Sequence, residues 1–269
     1  MAISRLFRTS ALIDRAGVAH GFSLRGGGVS QGPYSSLNLG LSTGDEPRSV
    51  EENLLQLAAA AGLTSGFVCA NQVHGDRVVL ADLSGSLREV LAPSGGPPHQ
   101  ERDADAVLVV DRGAAAGVRT ADCVPVLLLA EDAGAAAAVH SGWRGAEKSI
   151  AGRAVEALGV VSGARPERMI AAIGPCIGRC CYEVSGELAS LFRGLFGPAA
   201  ADDPAENSRP HLDLRFCVEQ ALQRAGVPAA RIEQVPGCTS CEAADFFSHR
   251  RDHGRTGRHL AFIAAPGAR

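Results

Sequence analysis

Short apolar runs bounded by polar or glycine positions recur through the middle of the chain: Ala106–Val110, Val124–Ala130 and Ala135–Val139. Runs of this length without polar alternation predict strands buried on both faces. Glu131–Gly134 reads as the hairpin turn joining the last two. Around them the pattern switches to helical spacing. Thr43–Gly62 predicts a helix with Val50, Leu54, Leu57 and Ala61 on one face, Asp45 as its cap, Pro47 in its first turn and Gly62 as its stop. Gly145–Leu158 predicts another, with Ile150, Ala154, Val155 and Leu158 together and Gly159 ending it. Asp213–Ala225 places Leu214, Val218 and Leu222 at i, i+4 and i+8. Met169–Ile173, Ile232–Val235 and His259–Ile263 read as further strands, the last two closing the sheet. Residues 20–45 are rich in turn formers and read as an ordered loop, and 84–103 as an exposed, mobile one. The expectation is an α/β (α+β) chain. It forms a single domain over 1–269, with one mixed β-sheet and helices packed on its faces.

Composition narrows the class. Hydrophobic residues make up 46% of the 269, enough for a sizeable core, and the net charge is -3. No broad basic face exists for nucleic acid, and His249-Arg250-Arg251 suits a small anion better. No apolar run approaches the roughly 20 residues of a membrane-spanning helix. Met1–Arg8 lacks the apolar stretch of a signal peptide, so the expected compartment is the cytoplasm. Oligomeric state is not legible.

Eight cysteines in such a chain read as free thiols or metal ligands rather than disulfides. Cys238 and Cys241 form a C-x-x-C, but structural zinc needs a second well-spaced pair. Cys176 with Cys180 and Cys181 imitates one poorly, so these thiols read as unliganded.

Three potential ligands sit at element ends. His74 lies in Asn71-Gln-Val-His-Gly75, Cys123 in Thr120-Ala-Asp-Cys-Val-Pro125, and His140 directly after Ala135–Val139. Their separations are unlike a zinc finger and compatible with separate strands converging at one sheet edge. Two imidazoles and a thiolate make a catalytic type of zinc shell, with the fourth position open. Taken singly, a histidine at a strand end is more often a hydrogen-bonded structural residue and a lone cysteine more often core.

Over nearly its whole length the chain resembles the laccase-domain family, also described as multicopper polyphenol oxidase-like proteins, purine nucleoside phosphorylases and peptidoglycan editing factors. The resemblance rests on the order of many short motifs. Among them are His20-Gly-Phe-Ser, Leu37-Asn-Leu-Gly40, Asn71-Gln-Val-His-Gly75, Asp103-Ala-Asp105, Thr120-Ala-Asp-Cys123, Val139-His-Ser-Gly-Trp-Arg-Gly145, Ile173-Gly-Pro-Cys-Ile-Gly178, Cys181-Tyr-Glu-Val184 and Phe246-Phe-Ser-His-Arg-Arg-Asp252. It implies a CNF/YfiH-like fold and metal ligands at His74, Cys123 and His140, with Zn2+ as cofactor and copper as the other metal it admits. It further implies phosphorolysis of adenosine, inosine, guanosine and 5′-methylthioadenosine, with adenosine deamination also attributed to the family. The partners are then a small-molecule nucleoside and phosphate. The chain departs from the family's usual residues at Leu24, Cys217 and His249.

Other residues keep two readings. Asp122 is a partner for a ligand histidine, a loop cap, or an acid or base reaching a pocket from a turn. Arg144, at a helix start beside His140, suits an oxyanion or phosphate, against a surface ion pair. Arg25 beside Gly26-Gly-Gly28, Asn38, and Arg250 are candidates for substrate binding, against loop polarity. Tyr182 and Phe246-Phe247 are purine-stacking or core aromatics. Two rivals follow from the same family. A copper phenol oxidase is disfavoured because the eight histidines include no His-x-His pair. A peptidoglycan-precursor editing hydrolase would use the same ligands.

Overall fold

The computed structural model describes residues 6–92, 94, 100, 102–202 and 208–266. The strands are β1 (Phe7–Arg8), β2 (His20–Ser23), β3 (Val78–Ala81), β4 (Leu87–Leu91), β5 (Ala106–Val109), β6 (Ala115–Thr120), β7 (Val124–Ala130), β8 (Ala135–Ser141), β9 (Ile170–Ile173), β10 (Ile232–Gln234) and β11 (His259–Ala264). A mixed seven-stranded sheet runs β10-β9-β7-β8-β5-β3-β4, and a four-stranded sheet runs β1-β2-β11-β6. The helices are α1 (Ala11–Asp14), α2 (Pro47–Ala60), α3 (Trp143–Glu147), α4 (Ile150–Ser162), α5 (Gly186–Phe196) and α6 (Leu214–Arg224). Among the described residues no helix is long and apolar enough to cross a membrane.

The period of two along β7 and β8 divides two cores. Val124, Val126, Leu128, Ala137 and Val139 pack with Ile150, Ala154 and Leu158 of α4 and Val218 and Leu222 of α6. Leu127, Leu129, Ala136 and Ala138 pack instead with Ala116 and Val118 of β6 and Ala261 and Ile263 of β11. Both strands are buried throughout, which is why they read as continuous apolar runs. Each fully buried Leu or Val contributes roughly 1.5–3 kcal/mol, so the helices and the second sheet clamp β7 and β8 from both sides.

The architecture is α/β with mixed sheets, and it corrects the sequence reading in particulars. His259–Ile263 does not close the main sheet. It pairs with β2 and β6, so a second sheet covers the face where helices were expected. Residues 20–23 are strand rather than loop. Leu87–Leu91, inside the expected mobile loop, pairs antiparallel with β3, while residues 93, 95–99 and 101 of that stretch lie outside the described residues. Helix α5 had no place in the periodicity reading. Ser185 caps it by accepting from Leu188 N, and Ala189, Phe192 and Phe196 face inward. Helix α4 passes Gly159 and stops at Gly163, whose φ of +73 suits glycine. Asp45 does not cap α2: Glu46 occupies that position, and the Asp45 carboxylate accepts from Glu46 N and Asn38 Nδ2.

Candidate metal centre

Strands β3, β5 and β7 run parallel to one another and β8 runs antiparallel to β5 and β7, so three strand starts and one strand end meet at one end of the main sheet. His74 lies just before β3, Cys123 just before β7, and His140 near the end of β8. Pairing of Pro125 with His140 sets the last two side by side. The ligand atoms of His74, Cys123 and His140 all lie within 4.8 Å of one another. Cys123 Sγ is 3.9 Å from His74 Nε2, and the two imidazoles meet edge to face with centroids 4.8 Å apart. Gly142 is required here, because a Cβ would come within 2.9 Å of the His74 ring and 3.2 Å of Cys123 Sγ.

Two non-glycine residues hold left-handed backbone at the site: His74 (φ 59) and Asp122 (φ 89). Such conformations cost free energy and persist where surrounding bonds over-determine them. For His74 the anchor is Asp105, fully buried just before β5. Its carboxylate accepts the N–H groups of Val73, His74 and Gly75 at 3.2, 3.0 and 2.7 Å. It also accepts from Nδ1 of His140 at 2.7 Å, which leaves Nε2 of that ring for the centre. Burial raises the Asp105 pKa, but His140 and the backbone donors outweigh it and hold the carboxyl below its ordinary value.

The thiol and imidazole polarise each other. Burial pushes the Cys123 thiol up, yet the charge and hydrogen bond of His140, then His74, bring it down to about 6. Burial alone would lower His140, while Cys123 and Asp105 raise it to about 10. A deprotonated sulfur with neighbouring imidazole nitrogens is the donor set that binds zinc or another borderline metal, so the residues present fit the group.

The three side chains form part of the lining of a cavity of about 710 Å³. Asp122, Tyr182, His249, Arg250, Arg119 and Arg258 also line it. Asp122 is not the partner of a ligand histidine. Its Oδ1 accepts from the Thr239 hydroxyl and its Oδ2 from Arg250 N, both at 2.6 Å. Arg250 extends over the Tyr182 ring at 5.2 Å and donates to Glu183 O. Three expected residues are not in the lining. Arg144 is exposed and stacks on Trp143, 4.2 Å above its ring, in a helix of only five residues. Arg25 donates to Ser35 O and stacks on Phe247. Asn38 is fully buried, donating to Thr43 and Asp45 and accepting from Gly40 N and Arg258 N, so it shapes the loop beside the cavity. Phe246 and Phe247 are core residues. Asp105, Arg119 and Arg258 carried no functional reading from sequence. The one available signal was the spacing of Asp105 directly before an apolar strand.

A family described as multi-copper polyphenol oxidoreductase laccase matches residues 19–266. A Geobacillus stearothermophilus protein named purine nucleoside phosphorylase YlmD is 37% identical over 254 residues, 92% of this chain and 90% of the relative. A Deinococcus radiodurans protein named purine nucleoside phosphorylase is 41% identical over 251 residues, 93% of this chain and 90% of that one. Among solved structures, Bacillus licheniformis hypothetical protein YfiH superposes with a TM-score of 0.83 at 32% identity, covering 97% of this chain and 99% of the other. YlmD from Geobacillus stearothermophilus does so with a TM-score of 0.80 at 33% identity, covering 97% and 98%.

Proposed function

The chain belongs to the multi-copper polyphenol oxidoreductase laccase family, and from that premise we propose that it is a cytosolic, zinc-dependent purine nucleoside phosphorylase, one domain over 1–269. One observation carries the reading: a single cavity of about 710 Å³ is lined by the His74, Cys123 and His140 cluster together with Arg119, Arg250 and Arg258. That combination suits a nucleoside and an anion at once. The names of relatives at 37% and 41% identity point to the same substrate class.

His74, Cys123 and His140 would hold the metal, which supplies Lewis-acid polarisation when bound. Asp105 orients His140 and fixes the loop that carries His74. The guanidinium-bearing residues Arg250, Arg119 and Arg258 bind and orient phosphate through charge-assisted contacts. Tyr182, held against Arg250, offers a face for the purine. Asp122 holds the Arg250 segment through its backbone N–H and stands in the cavity wall as the candidate proton acceptor. Adenosine deamination is a second reading, favoured by the placement of this carboxylate in the same cavity as the N/N/S cluster. Copper phenol oxidation is supported less: among the described residues only one His/Cys/Asp/Glu cluster contains histidine, and it offers three ligands.

The test incubates metal-loaded protein with adenosine, inosine, guanosine and 5′-methylthioadenosine, with and without phosphate. Phosphate-dependent release of free base with a ribose 1-phosphate product is expected. Ammonia release without phosphate would favour deamination, and no turnover of any nucleoside would sink the proposal.

A further inference from the structure

The ends of β9 and β10 lie at the same end of the main sheet as the metal centre. β9 and the edge strand β10 run parallel, so the segments that follow them travel side by side. A parallel bridge between Cys176 and Cys238 continues the pairing past the strand ends. The first segment then turns at Gly178, with Cys181 N and Tyr182 N both donating to Gly178 O. The second turns at Cys238, whose carbonyl accepts from Glu242 N while its own N–H donates to the Glu242 carboxylate. These turns bring four thiols together.

Cys180, Cys181, Cys238 and Cys241 have sulfur atoms all within 4.8 Å of one another. Cys180 Sγ lies 3.7 Å from Cys238 Sγ and 3.5 Å from Cys241 Sγ, and Cys181 Sγ lies 3.2 Å from Cys241 Sγ. Tetrahedral zinc with Zn–S near 2.3 Å requires sulfur separations of roughly 3.8 Å, whereas a disulfide requires about 2.05 Å. The separations of 3.2, 3.5 and 3.7 Å are close to the tetrathiolate value and far from the disulfide one.

The surroundings suit such a pocket. Gly178 N donates to Cys238 Sγ at 3.3 Å, and a Cβ on Gly178 would come within 3.1 Å of Cys180 Sγ and 3.3 Å of Cys238 Sγ. Arg251, itself paired with Asp252, donates to the Thr239 and Ser240 carbonyls and so fixes the turn between Cys238 and Cys241. Cys176 stands apart, buried and contacted by Arg215. The second cysteine pair that the sequence reading lacked is therefore the vicinal Cys180-Cys181. In a strand adjacent side chains point to opposite faces, but in this turn both reach one cluster.

We propose that Cys180, Cys181, Cys238 and Cys241 form a second metal site, a structural tetrathiolate zinc centre separate from the His74–Cys123–His140 cluster. Its position gives it a role. Thr239, inside the Cys238–Cys241 turn, donates to Asp122, and Tyr182, next to Cys181, lines the cavity. The ion cross-links the segment that carries Tyr182 to the segment whose Thr239 holds Asp122, closing its shell without an open position.

The experiment counts metal rather than turnover, so its outcome is independent of whether nucleosides are substrates. Wild-type protein purified under reducing conditions with zinc should retain about two equivalents per chain after gel filtration, and the His74→Ala/His140→Ala variant about one. With Co2+ in place of zinc, that variant should show thiolate-to-metal charge transfer and the intense d–d bands of a tetrahedral tetrathiolate. Adding Cys238→Ser/Cys241→Ser to that variant should abolish both the remaining equivalent and these bands. Should these variants fail to fold, mass-mapped alkylation of wild type decides: the four cysteines should be protected in zinc-loaded protein and exposed after chelation. The proposal is overturned if zinc-loaded wild type alkylates at these cysteines as readily as chelated protein. It is equally overturned if the cysteines are found oxidised as disulfides with no bound metal.

Discussion

The Asp105 carboxylate accepts a 2.7 Å hydrogen bond from His140 Nδ1 while gathering the backbone N–H groups of the loop that carries His74. One buried side chain thus fixes the orientation of one proposed ligand and the strained backbone of another. Partners of this kind set ring tautomer and basicity, and their loss typically lowers metal affinity about 10–100-fold. Asp105→Asn should therefore weaken zinc binding by about that factor, read by competition against a chelator. Unchanged affinity would leave Asp105 with a purely structural role.

Cys123 has two chemical options, ligand or nucleophile. As a nucleophile it would use His140 or His74 as its base and need no metal. As a ligand its lone pair is occupied, and it resists alkylation until the metal is stripped. The expected result is that chelation removes turnover, zinc restores it, and His74→Ala, His140→Ala and Cys123→Ser each lose metal and activity together. Metal-free protein turning over at the wild-type rate, or a trapped substrate adduct on Cys123, would decide for the nucleophile.

The parts of the fold legible in the sequence are those where burial is symmetric. β7 and β8 lie between a helical layer and a second sheet, and their unbroken apolar runs announce it. β2 escaped because it is written His-Gly-Phe-Ser, with two polar residues that are nonetheless buried: His20 accepts from Ser10 N, and the Ser23 hydroxyl accepts from Leu260 N. Periodicity cannot see a polar residue satisfied by a distant partner. The same limit applies at the centre. His74, Cys123 and His140 stand at visible element ends, but Asp105 acts through backbone donors some thirty residues away. Arg144 drew attention through its nearness in sequence to His140, yet helix α3 turns it onto Trp143 instead. Arg258 reaches the cavity from the far end of the chain.

Phosphate recognition should follow the cavity and not sequence proximity to a ligand. Arg250 lines the cavity and Arg144 does not. A hydrogen bond to a charged group is worth roughly 1.5–3 kcal/mol, and about 1.4 kcal/mol is tenfold in affinity. Arg250→Ala should raise the KM for phosphate at least tenfold with zinc content unchanged, while Arg144→Ala should leave it within about twofold. Initial rates at varied phosphate check both, and the reverse ranking would return the anion site to Arg144.

The proton balance between Cys123 and His140 gives a pH signature in metal-stripped protein. Burial opposes ionisation of the thiol, but the neighbouring imidazolium of His140 and the contact with His74 favour the thiolate and bring its pKa to about 6. Because the thiolate is the reactive form, alkylation of Cys123 should rise with pH and reach half its maximal rate near pH 6. An ordinary thiol would reach it at about pH 8.5. Below pH 6 the sulfur is protonated and the rate falls. His140 is cationic at the midpoint, since the Cys123 thiolate and Asp105 raise it to about 10. The midpoint therefore belongs to the pair and not to the thiol alone. His140→Gln removes the cation and leaves burial dominant, so the midpoint should move above about 8.5. Cys69, whose pKa is raised by burial, serves as the internal reference in the same mass-mapped experiment. A wild-type Cys123 profile that coincides with an ordinary thiol, or one unaltered in His140→Gln, would show that the imidazolium does not control the sulfur.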